Sequence, residues 1–462
     1  MHGDTENTEE NPKRIIVFLR ELCVSVVSVL KALSMPHSCP TLFVAAPASG
    51  QGKTTVVAAL ARLHARQGRK VRVFKCGPDF LDPQIHAIAS GAPCYNVDLW
   101  MCGEADAAWR LAEAAQNADL ILVEGVMGLY DGQPAGADLA AQLGLPILAV
   151  IDGAAMATSF GAIAYGLKHY RPGTPLNAAF ANRVGSAYHA ELLEKSLPPD
   201  IAWYGHLPRD TDAAMPERHL GLLPAAEIED LTQRIDRMAD LLATTAAAAL
   251  PPPVSFAYAS APHIAPLLAG KTIAIACDAA FCFLYPANLD CLTALGARIE
   301  YFSPLADKTL PDCDAIWLPG GYPELHATTL ANNRDLWATL ANHLAAGKPL
   351  LAECGGMMAL FDTLVDIDGQ SHAGGGLLPG RIAMQKKLAA LGLQEVVLPE
   401  GTLRGHTFHY SSAETPLIAR AQANRPDGRP GEAIYRRQRL TASYMHLYFP
   451  SNPEATARLF LA

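Results

Sequence analysis

Residues 41–55 read TLFVAAPASGQGKTT, and this stretch decides the fold of the first half of the chain. The run 41–46 is short, continuous and apolar, which is typical of a buried β-strand. Gly50 and Gly52 interrupt it with a turn, and apolar residues at helical spacing follow from about Thr54 to Arg66. The stretch therefore predicts a strand, a glycine-rich loop and a helix in succession.

This loop is suited to binding the phosphates of a nucleotide. Its glycines let backbone N–H groups close around anionic oxygens, and the helix that follows adds the positive end of its dipole. Lys53 can reach the outer phosphates, and the Thr54 hydroxyl can bind Mg²⁺. Pro47 stands where the strict pattern has glycine, but the G-x-G-K-T-T core is kept. We predict an ATP site formed by Ser49, Gly50, Gly52, Lys53, Thr54 and Thr55.

Short apolar runs alternate with helical segments through the rest of the first half. The runs lie at 71–75, 119–123, 146–151 and 177–181. Such alternation predicts a parallel sheet that is covered by helices on both faces, hence an α/β fold.

The amino-acid composition changes near residues 243–270, which are rich in Ala and Pro and poor in charge, as is typical of an interdomain linker. The alternation then restarts, with strands predicted at 272–276, 299–302, 315–318 and 350–352. A chain of 462 residues is long enough for two domains. We predict an N-terminal extension (1–38), a nucleotide-binding domain (39–245), a linker (246–270) and a second domain (271–462).

Four acidic residues follow strands at the edge that carries Lys53. Asp79 and Asp82 lie in GPDFLDP after the strand at 71–75, and Glu124 and Asp131 lie in EGVMGLYDG after the strand at 119–123. Each could serve only in a turn or cap. Their common edge favours Mg²⁺ binding, by Asp79 and Glu124 together with Thr54, and handling of an acceptor carboxylate by Asp82 and Asp131.

A different constellation occupies the second half. Residues 350–356, LLAECGG, place Cys354 on a sharp turn between a strand and a helix, as in a nucleophile elbow. The helix N-terminus should lower the pKa of this thiol. Gly320 and Gly321 end an earlier strand and could offer N–H groups to an oxyanion. The alternative is a buried structural cysteine.

A cysteine nucleophile needs a base, and histidine is the usual one. His446, in TASYMHLYFPSN, is the leading candidate, and His406 and His409 in RGHTFHYS are competitors. A thiolate that attacks a carboxamide releases ammonia, and a nucleotide site can prepare an acceptor by phosphorylating a carboxylate. Together the two halves predict a glutamine-dependent, ATP-consuming amidotransferase.

Composition excludes some other classes of protein. The net charge of −9 argues against nucleic acid as a main partner, and none of the ten cysteines forms a CxxC pair, which fits a reducing cytoplasm. Residues 15–33 are apolar but contain Arg20 and Glu21, and the clean run 22–30 is far short of the ~20 residues of a membrane span. We expect residues 1–34 to lie outside the functional core and expect no membrane partner.

The motifs ASGQGKTT, KCGPDFLDP, EGVMGLYDG, LPGGYPE, LAECGGMMAL, GHTFHYS and SYMHLYF, in this order, resemble the cobyrinic and hydrogenobyrinic acid a,c-diamide synthase family from about residue 41 to 460. The resemblance implies a dethiobiotin-synthetase-like P-loop domain followed by a class I (triad) glutaminase domain. It implies amidation of the a and c carboxylates of a corrin with ATP, Mg²⁺ and glutamine or ammonia. Cys354 would be the nucleophile and His446 its base.

The sequence departs from the triad pattern at one position. Many class I glutaminases have Glu two residues after the histidine, where this chain has Tyr448. The third member of the triad is therefore left unassigned. Tyr410 and Arg404 are candidates for contacting the corrin.

Three alternatives stay open. The corrin could lack cobalt, or the enzyme could be a cobyric acid synthase, which amidates other side chains. The first half could instead be a ParA/MinD-like nucleotide switch, although the early lysine of that loop is missing at Ala48-Ser49-Gly50. We expect small-molecule substrates and allow for a homodimer.

Overall fold

The computed structural model describes residues 36–218 and 221–461. The interpretation of residues 1–35 as an extension beyond the functional core falls outside these ranges. None of the helices within them combines the length and apolar character required to cross a bilayer.

In the described part of the first half, the strands are β1 His37–Ala45, β2 Val71–Cys76, β3 Tyr95–Val97, β4 Leu120–Glu124, β5 Ile147–Asp152, β6 Leu176–Val184, β7 Ala202–Pro208, β8 Glu217–Arg218, β9 Gly221–Leu222 and β10 Pro253–Phe256. Its helices are α1 Lys53–Arg66, α2 Asp82–Ser90, α3 Glu104–Asn117, α4 Gly136–Gln142, α5 Ser159–His169, α6 Ala187–Ser196 and α7 Leu231–Leu242.

The main sheet of this half has the order β3-β2-β4-β1-β5-β6-β7, and neighbouring strands are parallel. Its two faces are covered by separate apolar clusters. One contains Leu60 of α1 and Ile235 of α7, and the other contains Leu111 of α3 and Leu193 of α6. The predicted parallel sheet with helices on both faces is confirmed, because strands buried on both sides read as continuous apolar runs.

The second half contains the strands β11 Thr272–Ala276, β12 Arg298–Phe302, β13 Ala315–Leu318, β14 Leu350–Glu353, β15 Phe361–Val365, β16 Ser371–Ala373, β17 Leu378–Met384, β18 Ala390–Leu398, β19 Gly401–His409, β20 Ser411–Glu414, β21 Ala421–Asn424, β22 Pro430–Arg437, β23 Leu440–Ser443 and β24 His446–Tyr448. Its helices are α8 Pro286–Ala294, α9 Ala327–Asn332, α10 Arg334–Ala345, α11 Gly355–Ala359 and α12 Pro453–Leu459.

The large sheet of this half runs β12-β11-β13-β14-β23-β22-β21-β18-β19-β24. It is parallel from β12 to β23 and antiparallel beyond β23. A second sheet, β16-β15-β17-β20, accompanies it. The four predicted strands are present, whereas the strands between residues 361 and 398 and between residues 411 and 437 were not predicted.

The predicted extension and linker both contribute to the first sheet. Strand β10 pairs antiparallel with the start of β1, where His37 faces Phe256 and Pro40 faces Pro253. Residues 37–38 and 253–256 are therefore wrongly assigned to an extension and a linker. A proline as the first residue of a strand is compatible with a sheet, and burial of the Phe256 ring adds apolar contact.

The two halves are packed together through an apolar cluster that draws on both. Met101 and Cys102 of the first half meet Tyr285, Ala287 and Tyr448 of the second. We call this cluster, together with the hydrogen bonds between the two halves that surround it, the domain interface.

Candidate active site

The glycine-rich loop lies at the carboxyl end of β1, directly before α1. Gly50 and Gly52 have positive φ angles of 76° and 94°. A Cβ on Gly52 would come 2.0 Å from Nδ2 of Asn182, so the loop requires glycine there both for its backbone conformation and for space. The first turn of α1 contains no acidic residue, and its N–H groups suit an anion.

Lys53 is buried at the base of this loop. Its Nζ donates to the carbonyl oxygens of Met127, at 2.7 Å, and Ala48, at 3.3 Å. Burial lowers the pKa of Lys53, partly offset by the nearby carboxylate of Glu124. Because both acceptors are neutral carbonyls, an anionic phosphate would be a stronger partner for this ammonium.

Thr54 and Glu124 come together as the sequence predicted. The Thr54 hydroxyl donates to Oε1 of Glu124 at 2.9 Å, and Glu124 is fully buried at the end of β4. Mg²⁺ favours oxygen ligands and is commonly held by one or two carboxylates together with substrate phosphates and water. These two side chains fit that ion, although no group of three or more His, Cys, Asp or Glu in the described ranges could hold a metal ion.

Lys75 lies among the predicted acidic residues, and sequence reasoning missed it. Its Nζ contacts Oε1 of Glu124 at 3.0 Å, Oδ2 of Asp79 at 3.4 Å and Oδ2 of Asp82. Burial opposes its charge, but the carboxylates of Asp82, Glu124 and Asp79 hold the pKa of Lys75 well above its ordinary value. A lysine near the end of an apolar strand, four residues before the first of two aspartates, was the available signal.

His86, on α2, is the second residue that was missed. Its Nε2 contacts Oε2 of Glu124, while its buried Nδ1 has no hydrogen-bond partner among the described residues. Burial disfavours the charged carboxylate, but Lys75 and His86 together hold the pKa of Glu124 below its ordinary value. Glu124 is therefore ionised and is shared among three side chains.

The other acidic residues divide between two positions. Asp79 lies beside Lys75 and also accepts from the backbone N–H groups of Leu81, at 2.8 Å, and Asp82, at 3.2 Å, so it has the turn role as well. Burial and Asp79 raise the pKa of Asp82. Asp131 lies farther along the edge, where its Oδ2 accepts from the Gly128 N–H at 2.8 Å.

Cys354 forms the predicted elbow between β14 and α11. Its backbone has φ 45° and ψ −110°, an unusual conformation for a non-glycine residue. A Cβ on Gly356 would come 2.1 Å from the carbonyl oxygen of Leu318, and one on Gly355 would come 2.8 Å from the backbone of Gly321. The small neighbours are therefore a steric requirement of the turn.

The expected lowering of the cysteine pKa is wrong. Burial, followed by the charge of Glu324, raises the pKa of Cys354 above its ordinary value. Helix α11 has only five residues, and burial of the thiol outweighs its weak dipole. The resting cysteine is a neutral thiol.

His446 adjoins the predicted oxyanion turn. A Cβ on Gly320 would lie 2.3 Å from its Cε1, while Gly355, next to Cys354, packs against Gly321. The fold thus brings the elbow, the Gly320–Gly321 turn and His446 together. Burial, with a further contribution from His406, lowers the pKa of His446, and its buried Nδ1 has no partner among the described residues.

The competing histidines already have partners. His406 faces His446 across the β19–β24 pair, and its Nδ1 lies 3.0 Å from the Tyr285 hydroxyl. Burial lowers the pKa of His406 to about 3. Nε2 of His409 lies 3.2 Å from Oε1 of Glu432, and its ring stacks on Tyr444 at 3.7 Å.

Tyr448, the departure from the triad pattern, has its hydroxyl bonded to the first half of the chain. Its hydroxyl donates to Oδ2 of Asp106 across the domain interface at 2.7 Å. The buried carboxyl of Glu353 instead supports the histidine strand, because Oε1 accepts from the Leu447 N–H at 3.0 Å and Oε2 from Nε1 of Trp317 at 3.2 Å.

Two family models match the chain. Residues 42–223 match the CobQ/CobB/MinD/ParA nucleotide binding domain, and residues 272–454 match the CobB/CobQ-like glutamine amidotransferase domain. The fold and the two sites thus define an ATP-dependent glutamine amidotransferase, which is a carbon–nitrogen ligase.

Relatives extend this similarity over both halves. The chain is 58% identical over 424 residues to the hydrogenobyrinate a,c-diamide synthase of Stutzerimonas stutzeri, covering 92% of this chain and 99% of that one. It is 48% identical to the cobyrinate a,c-diamide synthase of Herminiimonas arsenicoxydans, covering 92% and 98%. For the Salmonella typhimurium cobyrinate a,c-diamide synthase the identity is 37%, covering 88% and 94%. The chain belongs to the cobyrinate and hydrogenobyrinate a,c-diamide synthase family.

Proposed function

We propose that this enzyme amidates the a and c carboxylates of cobyrinate in cobalamin biosynthesis, with glutamine or ammonia as the nitrogen source. The observation that carries the proposal is near-complete alignment with a,c-diamide synthases across both halves. Hydrogenobyrinate, the cobalt-free corrin, is the second candidate substrate, because the relative at 58% identity has that name.

The first half activates the carboxylate. The ATP phosphates are bound by the loop residues Ser49, Gly50, Gly52, Lys53, Thr54 and Thr55, with Lys53 directed at the outer phosphates. Mg²⁺, held by Thr54 and Glu124 with Asp79 nearby, would neutralise phosphate charge. A corrin carboxylate oxygen attacks the γ-phosphorus, ADP leaves, and an acyl phosphate forms. The charges of Asp82 and Asp131 both act on Lys53, and we assign these two residues to the site of the corrin carboxylate that accepts the phosphoryl group.

The second half supplies ammonia. His446 takes the proton of Cys354, and the thiolate attacks the glutamine carboxamide. The Gly320 and Gly321 N–H groups stabilise the oxyanion. His446 then returns the proton to the leaving ammonia, and water hydrolyses the thioester to glutamate. Ammonia attacks the acyl phosphate carbon, phosphate leaves, and the amide forms.

The pKa of Cys354 is raised and the pKa of His446 is lowered by burial, so both groups favour their neutral forms at rest. These shifts oppose proton transfer from the thiol to the imidazole in the resting site, because a thiol with a raised pKa is a weaker acid and an imidazole with a lowered pKa is a weaker base. We place the working domain boundary between β10 and β11, and we propose a cytoplasmic enzyme that acts as a monomer or a homodimer.

The test is product analysis by mass spectrometry. The purified chain is incubated with ATP, Mg²⁺ and glutamine, and with either cobyrinate or hydrogenobyrinate. We expect two added amides on one of these corrins. Four amides at other side chains would indicate a cobyric acid synthase. ATP turnover that responds to DNA or membranes but not to corrin would replace the proposal by a nucleotide switch.

A further inference from the structure

Phe80 belongs to the nucleotide-binding half, yet its ring packs against aromatic rings of the glutaminase half. The ring centroids lie 4.3 Å from Tyr285, 4.9 Å from His446, 5.0 Å from Phe283 and 5.4 Å from His406. The pair with Phe283 is stacked, with 1° between the ring planes. A residue from one half therefore forms part of the wall around the candidate base of the other.

The neighbours of Phe80 in the chain belong to the other site. Asp79 precedes it and Asp82 follows two residues later, and both carboxylates contact Nζ of Lys75. Lys75 in turn contacts Glu124, which accepts from Thr54 of the phosphate loop. The short turn of residues 79–82 thus contacts both sites. Its two carboxylates lie in the acidic site, and the ring of Phe80 packs against His446.

His446 depends on packing for its orientation. Its buried Nδ1 has no hydrogen-bond partner among the described residues, and Tyr448, where many glutaminases have an orienting Glu, is bonded to Asp106. A histidine base is ordinarily oriented by a third group that bonds its second nitrogen. Aromatic contacts of this kind have preferred geometries, so they can fix the orientation of a ring.

The two halves are fastened together beside this contact. Nε2 of Gln84, on the helix that follows the turn, donates to the carbonyl oxygen of Cys282 at 3.4 Å. Arg404 donates to the carbonyl oxygen of Trp100 at 3.1 Å. These hydrogen bonds between the two halves therefore hold the 79–82 turn next to β24, the strand that contains His446.

We propose that Phe80 is a positioning residue for glutamine hydrolysis: the acceptor-site turn of the synthetase half completes the glutaminase site by orienting His446. The assignment of His446 as the base rests on the proposed function. Because Asp79 and Asp82 belong to the same turn as Phe80, ligands bound at the acidic site can act on the orientation of His446 through this ring. Release of ammonia is thereby linked to the presence of an acceptor.

The test compares the full-length variants Phe80→Ala and Phe80→Tyr with wild type. We expect Phe80→Ala to lower kcat for glutamine hydrolysis roughly tenfold, about 1.4 kcal/mol, with an unchanged KM for glutamine. Stimulation of hydrolysis by ATP and corrin should also be lost. Synthesis from ammonium salts should be retained, because Lys53, Lys75 and Glu124 are unaltered. Phe80→Tyr keeps the ring and should restore kcat.

The matched control is Ile88→Ala, since Ile88 is 40% exposed on α2 in the same half. Normal kcat and normal stimulation in Phe80→Ala would overturn the inference. So would equal losses with ammonia and with glutamine, since Phe80 would then serve the acceptor site or the fold. If the wild-type enzyme hydrolyses glutamine but amidates no corrin, the proposed function is refuted. The Phe80 inference is still tested in that case, because kcat for glutamine hydrolysis can be compared between wild type and Phe80→Ala.

Discussion

Nζ of Lys75 lies 3.0 Å from Oε1 of Glu124, and the two residues are partners in the parallel register of β2 and β4. Both side chains are buried. A buried ion pair is costly to break because it leaves a charge without compensation. The lysine also balances Asp79 and Asp82, so one cation organises the acidic residues of the synthetase site.

We therefore predict that Lys75→Met lowers the free energy of unfolding by about 3 to 5 kcal/mol and abolishes synthesis from both nitrogen sources. Denaturant unfolding and product assays measure the two effects. Lys70→Met, at an exposed position before β2, is the matched control and should change neither. If both variants behave alike, Lys75 has no organising role.

Glu124→Gln should block synthesis with glutamine and with ammonia, because a neutral amide cannot balance Lys75 or serve as a carboxylate ligand for Mg²⁺. Glutamine hydrolysis without acceptor should persist. The control is Glu113→Gln, since Glu113 is a partly exposed residue of α3. Normal turnover in Glu124→Gln would remove Glu124 from the metal site.

Cys354→Ala should abolish the use of glutamine and leave synthesis from ammonium salts, since in the proposed mechanism the thiol serves only to supply nitrogen. Cys277→Ala, at an exposed cysteine of the same half, should leave both activities intact. Loss of ammonia-dependent synthesis in folded Cys354→Ala enzyme would contradict the proposed division of labour.

Gly320→Ala should impair glutamine hydrolysis selectively. The new Cβ would lie 2.3 Å from Cε1 of His446 and would displace the ring. Hydrolysis rates and ammonia-dependent synthesis are compared with those of Gly166→Ala, where a Cβ on α5 meets nothing within 4 Å. Unimpaired hydrolysis in Gly320→Ala would mean that His446 is not the base.

Stability should depend on pH through Glu353. Burial raises its pKa to about 8 from an ordinary value of 4.5, despite the opposing hydrogen bonds from Leu447 and Trp317. Between these pH values the folded state retains a proton that the unfolded state has lost, so this contribution to stability is present below pH 4.5 and falls as pH rises towards 8.

Replacement by Gln removes this titration. We expect the free energy of unfolding of Glu353→Gln, measured relative to wild type, to rise from pH 5 to pH 8, at up to about 1.4 kcal/mol for each unit of pKa shift. Denaturant titrations of both proteins at several pH values provide the comparison. A difference that is constant with pH would show that Glu353 is ionised in the folded protein.

Local sequence patterns were sufficient for the elements that form within a few residues. The strand, loop and helix of residues 41–66 and the Cys354 elbow were predicted because periodicity and glycine placement act locally. Strand β10 was missed because a proline-rich segment has no strand pattern of its own, and its hydrogen bonds depend on β1. The pKa of Cys354 was mispredicted because burial is a property of the packed domain, and because α11 ends after five residues, just before β15 begins.

The sequence by itself determined the fold class, the phosphate loop, the elbow and the family. Only the tertiary structure decided that Lys75 and His86 share Glu124, that Tyr448 bonds Asp106 rather than His446, and that Phe80 packs against His446. The physical reason is distance along the chain. These contacts join residues brought together by sheet register and domain packing, and no short-range periodicity or motif spacing encodes such pairs.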